Sequence, residues 1–261
     1  MLEFARYDAA KRIKGSMYLA VGMSLLATFA AWAYPSYSEA MDMDQLREAF
    51  PEPMIQAFNI QTMASLEGFL AVELYMFGWV ILLGLYFAYS AASIIADDID
   101  RGRMDTLLSM PVSRPRLALE RFAALGVPIL AVNVVTPVVV LVSAELIGES
   151  LSVVDVVALR LLAIPYLFAC AGIGLLASVL FDRASIAQRV ALGVTFGIYL
   201  VESLLTGTDY EGLGAIAPMR YFNPNEVLID GTYDLVGAAI LIGMMSVFII
   251  ISQLWFVRRD I

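Results

Sequence analysis

The residues of this chain able to do chemistry are few, and their types narrow the choice at once. There is no histidine, and the single cysteine, Cys170, sits in an apolar run, where it reads as a small buried hydrophobe. Imidazole-based metal sites, serine triads, cysteine–histidine dyads and disulfides are thereby set aside. What remains is charge. Asp97, Asp98, Asp100, Arg101, Arg103, Asp105, Arg114, Arg116, Glu120 and Arg121 crowd together between two long apolar runs. A charge in hydrocarbon costs roughly 2.5 to 3.5 kcal/mol even on lenient scales, so this island belongs in water at a membrane face.

The island has internal order. Asp97, Asp98 and Asp100 precede Gly102, then Met104, Leu107 and Leu108 recur at helical spacing, and Pro111, Val112, Ser113, Arg114 and Pro115 follow. Acids at a helix start complement its dipole, and proline past the end enforces a stop. The pattern predicts one short amphipathic helix exposed to solvent. Its Met and Leu face suits a groove on another protein, with Arg101, Arg103, Arg114 and Arg116 as rim charges. A merely solvated loop is the alternative.

The elements that carry the island follow from hydropathy. The chain has 261 residues, 61% of them hydrophobic and 16% charged, a balance that a soluble domain of this size cannot hide from water. About 20 apolar helical residues cross a bilayer. Six runs qualify: Ser16 to Tyr34, Val72 to Ala96, Phe122 to Ile147, Val156 to Leu180, Val190 to Thr206 and Leu235 to Val257. Their lengths exceed those of strands and no alternating ten-residue pattern appears, so the fold class is all-α, a polytopic membrane protein with six transmembrane helices. Ala31-Trp32-Ala33 imitates a signal-peptidase site, but the first apolar core is too long for a leader and is expected to be retained.

Orientation follows from Lys and Arg. With both termini cytoplasmic, thirteen fall inside and only Arg47, Arg160 and Arg220 outside. That bias and the even number of spans agree, and they place the island in the cytoplasm. Of the 25 acids, 16 fall on the outer side or its membrane edge, and two Lys accompany fourteen Arg. The pattern resembles proteins of high-salt organisms, the alternative being an acidic face that only solvates. Net charge is −9, and nucleic acid is not an expected partner.

No repeat or linker divides residues 1–261, which read as a single transmembrane domain. Residues 1–15 suit an interfacial helix with Leu2, Ala5, Ala9 and Ile13 toward the headgroups, the alternative being a solvated lead-in. Residues 35–71 form the longest outer segment, with Pro51, Pro53 and the apolar MIQAFNI. In 207–234, Gly and Pro break helices beside apolar Ile216, Met219, Tyr221 and Phe222, which suits a re-entrant or interfacial cap. Gly193 and Gly197 make a G-x-x-x-G that lets helix backbones approach, either across a dimer or within one chain. Asn133 and Thr136 beside Pro137 read as repair of a proline kink, with a polar pathway as the alternative. Glu73, Glu145 and Glu202 sit near outer span ends and are expected at the interface.

Taken in order, Asp98, Gly102, Asp105, Leu107, Leu108, Ser109, Pro111, Val112, Ser113 and Arg114 resemble the E-x-x-x-G-T-L-E-x-L-L-S-x-P-V-S-R signature of permease subunits of ABC-2 type ABC transporters. Arg121 stands where that family commonly has a basic residue opening the next span, and the six-span plan is similar over the whole chain. Arg103 replaces the family's Thr, Thr106 interrupts the apolar pattern, and Asp98 keeps the charge of Glu with a shorter reach. The resemblance implies a non-catalytic permease subunit of the plasma membrane, in the export direction usual for the family. It implies that residues 97–116 couple to a separate ATP-binding subunit, and that a second permease copy, the same or similar, meets the first across the first and fifth spans. The only lysines, Lys11 and Lys14, lie in no G-x-x-x-x-G-K-[ST] loop, so this chain is expected to bind no cofactor, ATP and Mg belonging to the partner. An ion-driven secondary transporter is the runner-up, but it wants midplane acids or paired halves. A membrane-embedded enzyme lacks a visible catalytic constellation.

Overall fold

The computed structural model describes residues 3–40, 65–109 and 112–259. Six helices are long and apolar enough to cross a membrane: α1 (Glu3–Ala40), α2 (Leu66–Ala92), α3 (Arg114–Leu146), α4 (Val153–Leu180), α5 (Ala184–Leu205) and α6 (Leu235–Arg258). Among the described residues there is no strand. The six expected spans are all present, and their ends differ in a consistent way. Residues 3–15 do not form a separate helix but continue into the first span, which also runs past Tyr34 and Pro35 to Ala40. α3 starts at Arg114 rather than Phe122, because Pro115 suits the first helical turn, and a brief turn at 124–125 interrupts it. Hydropathy marks where charges stop, whereas backbone hydrogen bonding continues into the headgroup region. The MIQAFNI stretch lies outside the described residues.

α4 is the central helix, packed against α2, α3, α5 and α6, while α1 lies on α3 at the periphery. Lipid offers little hydrophobic drive between helices, so close packing and small residues decide who touches whom. At Gly174 the backbones of α4 and α2 come so close that a Cβ would overlap the Ala88 carbonyl. At Gly84 a Cβ would stand 2.7 Å from the Tyr166 hydroxyl. Tyr75, Trp79, Leu83 and Phe87 of α2 and Leu167, Cys170 and Leu175 of α4 fill the core between them. α2 is not α-helical throughout: residues Ala71–Leu83 form a π-helix, which is rare and commonly marks functional positions.

The two ends of the bundle differ. One gathers the start of α1, the α2–α3 connection, the α4–α5 connection and the end of α6. There Arg121 pairs with Asp8, and Arg259 with Asp182. The opposite end is closed by short 3₁₀ turns, Glu211–Ile216 and Pro218–Tyr221, and a helical turn, Pro224–Leu228, with Ala217 and Phe222 buried. Residues 207–234 thus break into short turns, as their Gly and Pro predict, with Ala217, Phe222, Val227 and Leu228 buried and Leu213 and Ile216 exposed. Glu202, expected at the interface, is buried beneath these turns. Its carboxylate occupies the space that Gly214 leaves by lacking a Cβ, and it faces Arg220 at 3.6 Å.

Candidate functional site

The charged island folds as a hairpin of two one-turn helices, not as one exposed amphipathic helix. After Ala92 the chain turns, and the N–H groups of Ile95 and Ala96 donate to the buried Ser178 hydroxyl of α4 at 2.8 and 3.0 Å. The first turn is Ala96–Asp100 and the second Met104–Leu108. Between them Gly102 takes a φ of +64°, a left-handed conformation that costs other residues about 1–2 kcal/mol. That break is why the periodicity of Met104, Leu107 and Leu108 does not continue the preceding acids as one helix.

The hairpin is pinned by ion pairs. Asp98 is buried, and its carboxylate meets Arg121 on one oxygen and Arg103 at 2.8 Å on the other. Arg121 also donates to the Ile94 carbonyl at 2.9 Å and reaches Asp8 of α1 at 3.5 Å. One guanidinium thus ties α1, the hairpin and α3 together. Removing one member of such a cluster leaves an uncompensated charge, which makes it a strong mechanical joint. Asp97 holds Arg101 at 2.8 Å and Arg103 at 2.7 Å. Arg114 donates to the backbone carbonyls of Phe256 and Arg259 and lies over the Phe256 ring, which fastens α3 to the end of α6. Asp100 accepts from the Ala184 N–H at 3.3 Å, at the start of α5.

Arg101 and Arg103 pair with Asp97, Arg114 donates to carbonyls at the end of α6 and Arg116 pairs with Glu120 at 2.7 Å, while the side chains of Arg101, Arg103 and Arg116 remain exposed at the rim. Met104, expected on the exposed apolar face, is buried. Gly102, Asp105, Thr106, Ser109 and Ser113 are exposed, while Leu107 and Val112 are half-buried against the core. Pro111 and the side chain of Leu108 lie outside the described residues. A groove of about 620 Å³ runs between the hairpin and α1, lined among others by Tyr7, Lys11, Arg12, Tyr86, Asp97 and Thr106.

Two partners of this site are invisible to periodicity. Ser178 is a lone polar residue inside an apolar run, and Asp8 sits in a lead-in that looks merely solvated. Arg160, counted above with the outer-face charges, is buried within α4 between aromatic rings. Its signal was present: an arginine several residues inside an apolar stretch has no water to reach. On α5, a Cβ at Gly193 or Gly197 would meet nothing within 4 Å among the described residues, so neither glycine is needed for close packing there. Asn133 donates to the Ile129 carbonyl at 2.8 Å, whereas the carbonyl that Pro137 leaves without its helical donor is that of Asn133 itself, so this bond does not repair the proline gap expected from the sequence.

Six helices long and apolar enough to cross a membrane, α4 central among them, with a braced polar hairpin at the end that holds both described chain ends, define a multi-pass membrane protein. The profile of the "ABC-2 family transporter protein" family matches residues 2–261, and the chain belongs to that family. It is a permease of the ABC transporter type. No curated protein matches the sequence significantly.

Proposed function

We propose that this chain forms the translocation path of an ATP-driven exporter in the plasma membrane, with both termini cytoplasmic, and that the hairpin of residues 97–116 is where a separate ATP-binding subunit pushes. The observation that carries this reading is the Asp98–Arg121–Asp8 joint, because it links the exposed hairpin tip to α1 and α3, while Ser178 links its base to α4. A displacement imposed at the tip is then delivered to three spans at once, which is what a population shift driven by nucleotide closure needs. ATP and Mg belong to the partner, and a second permease copy completes the path. The acidic balance of the chain, net charge −9, suits a brine-exposed surface.

The test compares two substitutions at one position. Gly102→Ala and Gly102→Trp carry similar left-handed strain, and nothing stands within 4 Å of a Cβ there. Only the indole projects far enough to obstruct a docked protein. In proteoliposomes holding the chain with its co-purified ATPase, Gly102→Trp is expected to abolish transport-linked ATP hydrolysis and Gly102→Ala to retain most of it. Equal coupling in both variants, or transport by the purified chain alone under an ion gradient, defeats the reading.

A further inference from the structure

Arg160 lies seven residues past the start of α4, about 10 Å along the helix, and is 3% exposed. Its guanidinium stands 3.9 Å from the centroid of the Trp79 ring and 4.4 Å from that of Tyr75. One terminal nitrogen donates to the Tyr75 hydroxyl at 2.7 Å. The Trp79 indole N–H donates in turn to Asn133 Oδ1 at 3.2 Å, which fixes the ring. Nε and Nη1 of Arg160 are buried without a hydrogen-bond partner, and among the described residues no carboxylate pairs with it. Of the acids on the outer halves of α2 and α3, Glu73 and Glu145 are exposed and Glu67 is half-buried, and none of them forms an ion pair with Arg160.

A guanidinium stays charged and carries five donors. Stacking on two rings offsets part of its desolvation, but a buried cation lacking both a counter-charge and two acceptors is poorly balanced. An ionisable residue so placed in a membrane bundle marks a functional site rather than a packing solution. The backbone gives an independent sign. Both rings project from the π-helical stretch Ala71–Leu83, and the wide turn of a π segment is characteristic of places where side chains are aimed for function. Tyr166 steadies that stretch by donating to the Val80 carbonyl at 2.7 Å.

We propose that Arg160, framed by Tyr75 and Trp79, recognises an anionic oxygen group (carboxylate, sulfonate or phosphate ester) on an amphiphilic transported molecule. In the arrangement described, the two aromatic faces stand in for the missing anion. When α2 and α4 part during transport, the ligand's oxygens take up the open donors, and the rings pack against the apolar portion beside the headgroup. This inference rests on the permease reading and adds to it the charge class of the cargo.

The test uses the full chain in lipid nanodiscs with Trp32→Phe and Trp255→Phe, both exposed positions, so that Trp79 is the sole tryptophan. Sodium decanesulfonate is titrated while Trp79 emission is read, with decyltrimethylammonium as the probe of opposite charge. The expected result is a saturable change with the sulfonate alone, weakened about tenfold or more by Arg160→Gln, since a charge-assisted contact is lost. An equal response to the ammonium probe, or undiminished sulfonate binding in Arg160→Gln, overturns the proposal. If Arg160→Gln does not fold, the comparison of probe charges on the protein retaining Arg160 still decides. No ATPase enters this measurement. A failure here, together with uncoupling by Gly102→Trp, removes the cargo site and leaves the permease reading standing, whereas sulfonate binding without that uncoupling leaves an anion site and overturns the role given to the hairpin.

Discussion

Asp98 shows how a residue that reads as solvated turns out to be structural. Its neighbour Asp100 is exposed and Asp97 half-buried, yet its own carboxylate is buried against Arg121 and Arg103. Replacing it with Asn keeps the volume and removes the counter-charge from Arg121, whose side chain is 15% exposed. Breaking a pair of this kind costs about 3–5 kcal/mol when fully buried, and the remaining contact from Arg121 to Asp8 places the expected cost at the lower end, about 3 kcal/mol. Asp98→Asn is therefore expected to lower the thermal midpoint in detergent clearly, and Asp98→Asn with Arg121→Met to recover part of the loss. Additive losses in the double variant argue against a shared ion pair. The acid and arginine types at this site were legible in the sequence, but their direction was not. Periodicity reports on one helix, whereas Asp98 is turned inward by a partner 23 positions away and Ser178 by a backbone 83 positions away.

Elements in this bundle are placed by where small residues permit contact, and that sorts glycines by consequence. A methyl at Gly174 runs into the Ala88 carbonyl, which is backbone and cannot rotate aside. At Gly84 it meets the Tyr166 hydroxyl, which can swing away by giving up its bond to Val80. At Gly22 it meets nothing within 4 Å. Thermal unfolding in detergent is expected to rank the alanine variants accordingly. Gly174→Ala loses the most, about 3 kcal/mol or more, as overpacking does at its worst. Gly84→Ala loses about 1 kcal/mol, the worth of one hydrogen bond, and Gly22→Ala is neutral or slightly stabilised. A Gly174→Ala protein as stable as Gly22→Ala shows that α2 and α4 do not meet as described. Hydropathy located all six spans because charges end where hydrocarbon begins. It could not reveal the π-helical turns of α2, which leave no periodic trace in AVELYMFGWVILL.

At the scale of the whole molecule two expectations remain open to direct measurement, and the single buried Cys170 makes both convenient, because introduced cysteines are read against a silent background. The first is sidedness. Ser109 and Tyr210 are exposed at opposite ends of the bundle. In right-side-out vesicles an impermeant maleimide is expected to label Tyr210→Cys at once and Ser109→Cys only after permeabilisation, with the reverse order refuting the cytoplasmic placement of the hairpin. The second is the pairing of two copies. α5 has 22% of its most apolar window buried, against 61% for α2 and α4. Its small residues Gly193 and Gly197 open outward, although backbone proximity is the usual use of that spacing. If α5 meets its counterpart in a second copy, Gly197→Cys forms an intermolecular disulfide under mild oxidation. Gly193→Leu with Gly197→Leu then leaves the monomer's thermal midpoint unchanged while shifting the complex from dimer to monomer on sizing. A dimer that survives the leucines places the seam elsewhere, whereas a monomer that unfolds with them means that these glycines pack inside the chain after all. The leucine pair separates these outcomes because a Cβ at either glycine meets nothing within 4 Å among the described residues, so a seam between copies and a contact inside the chain respond differently to the added bulk.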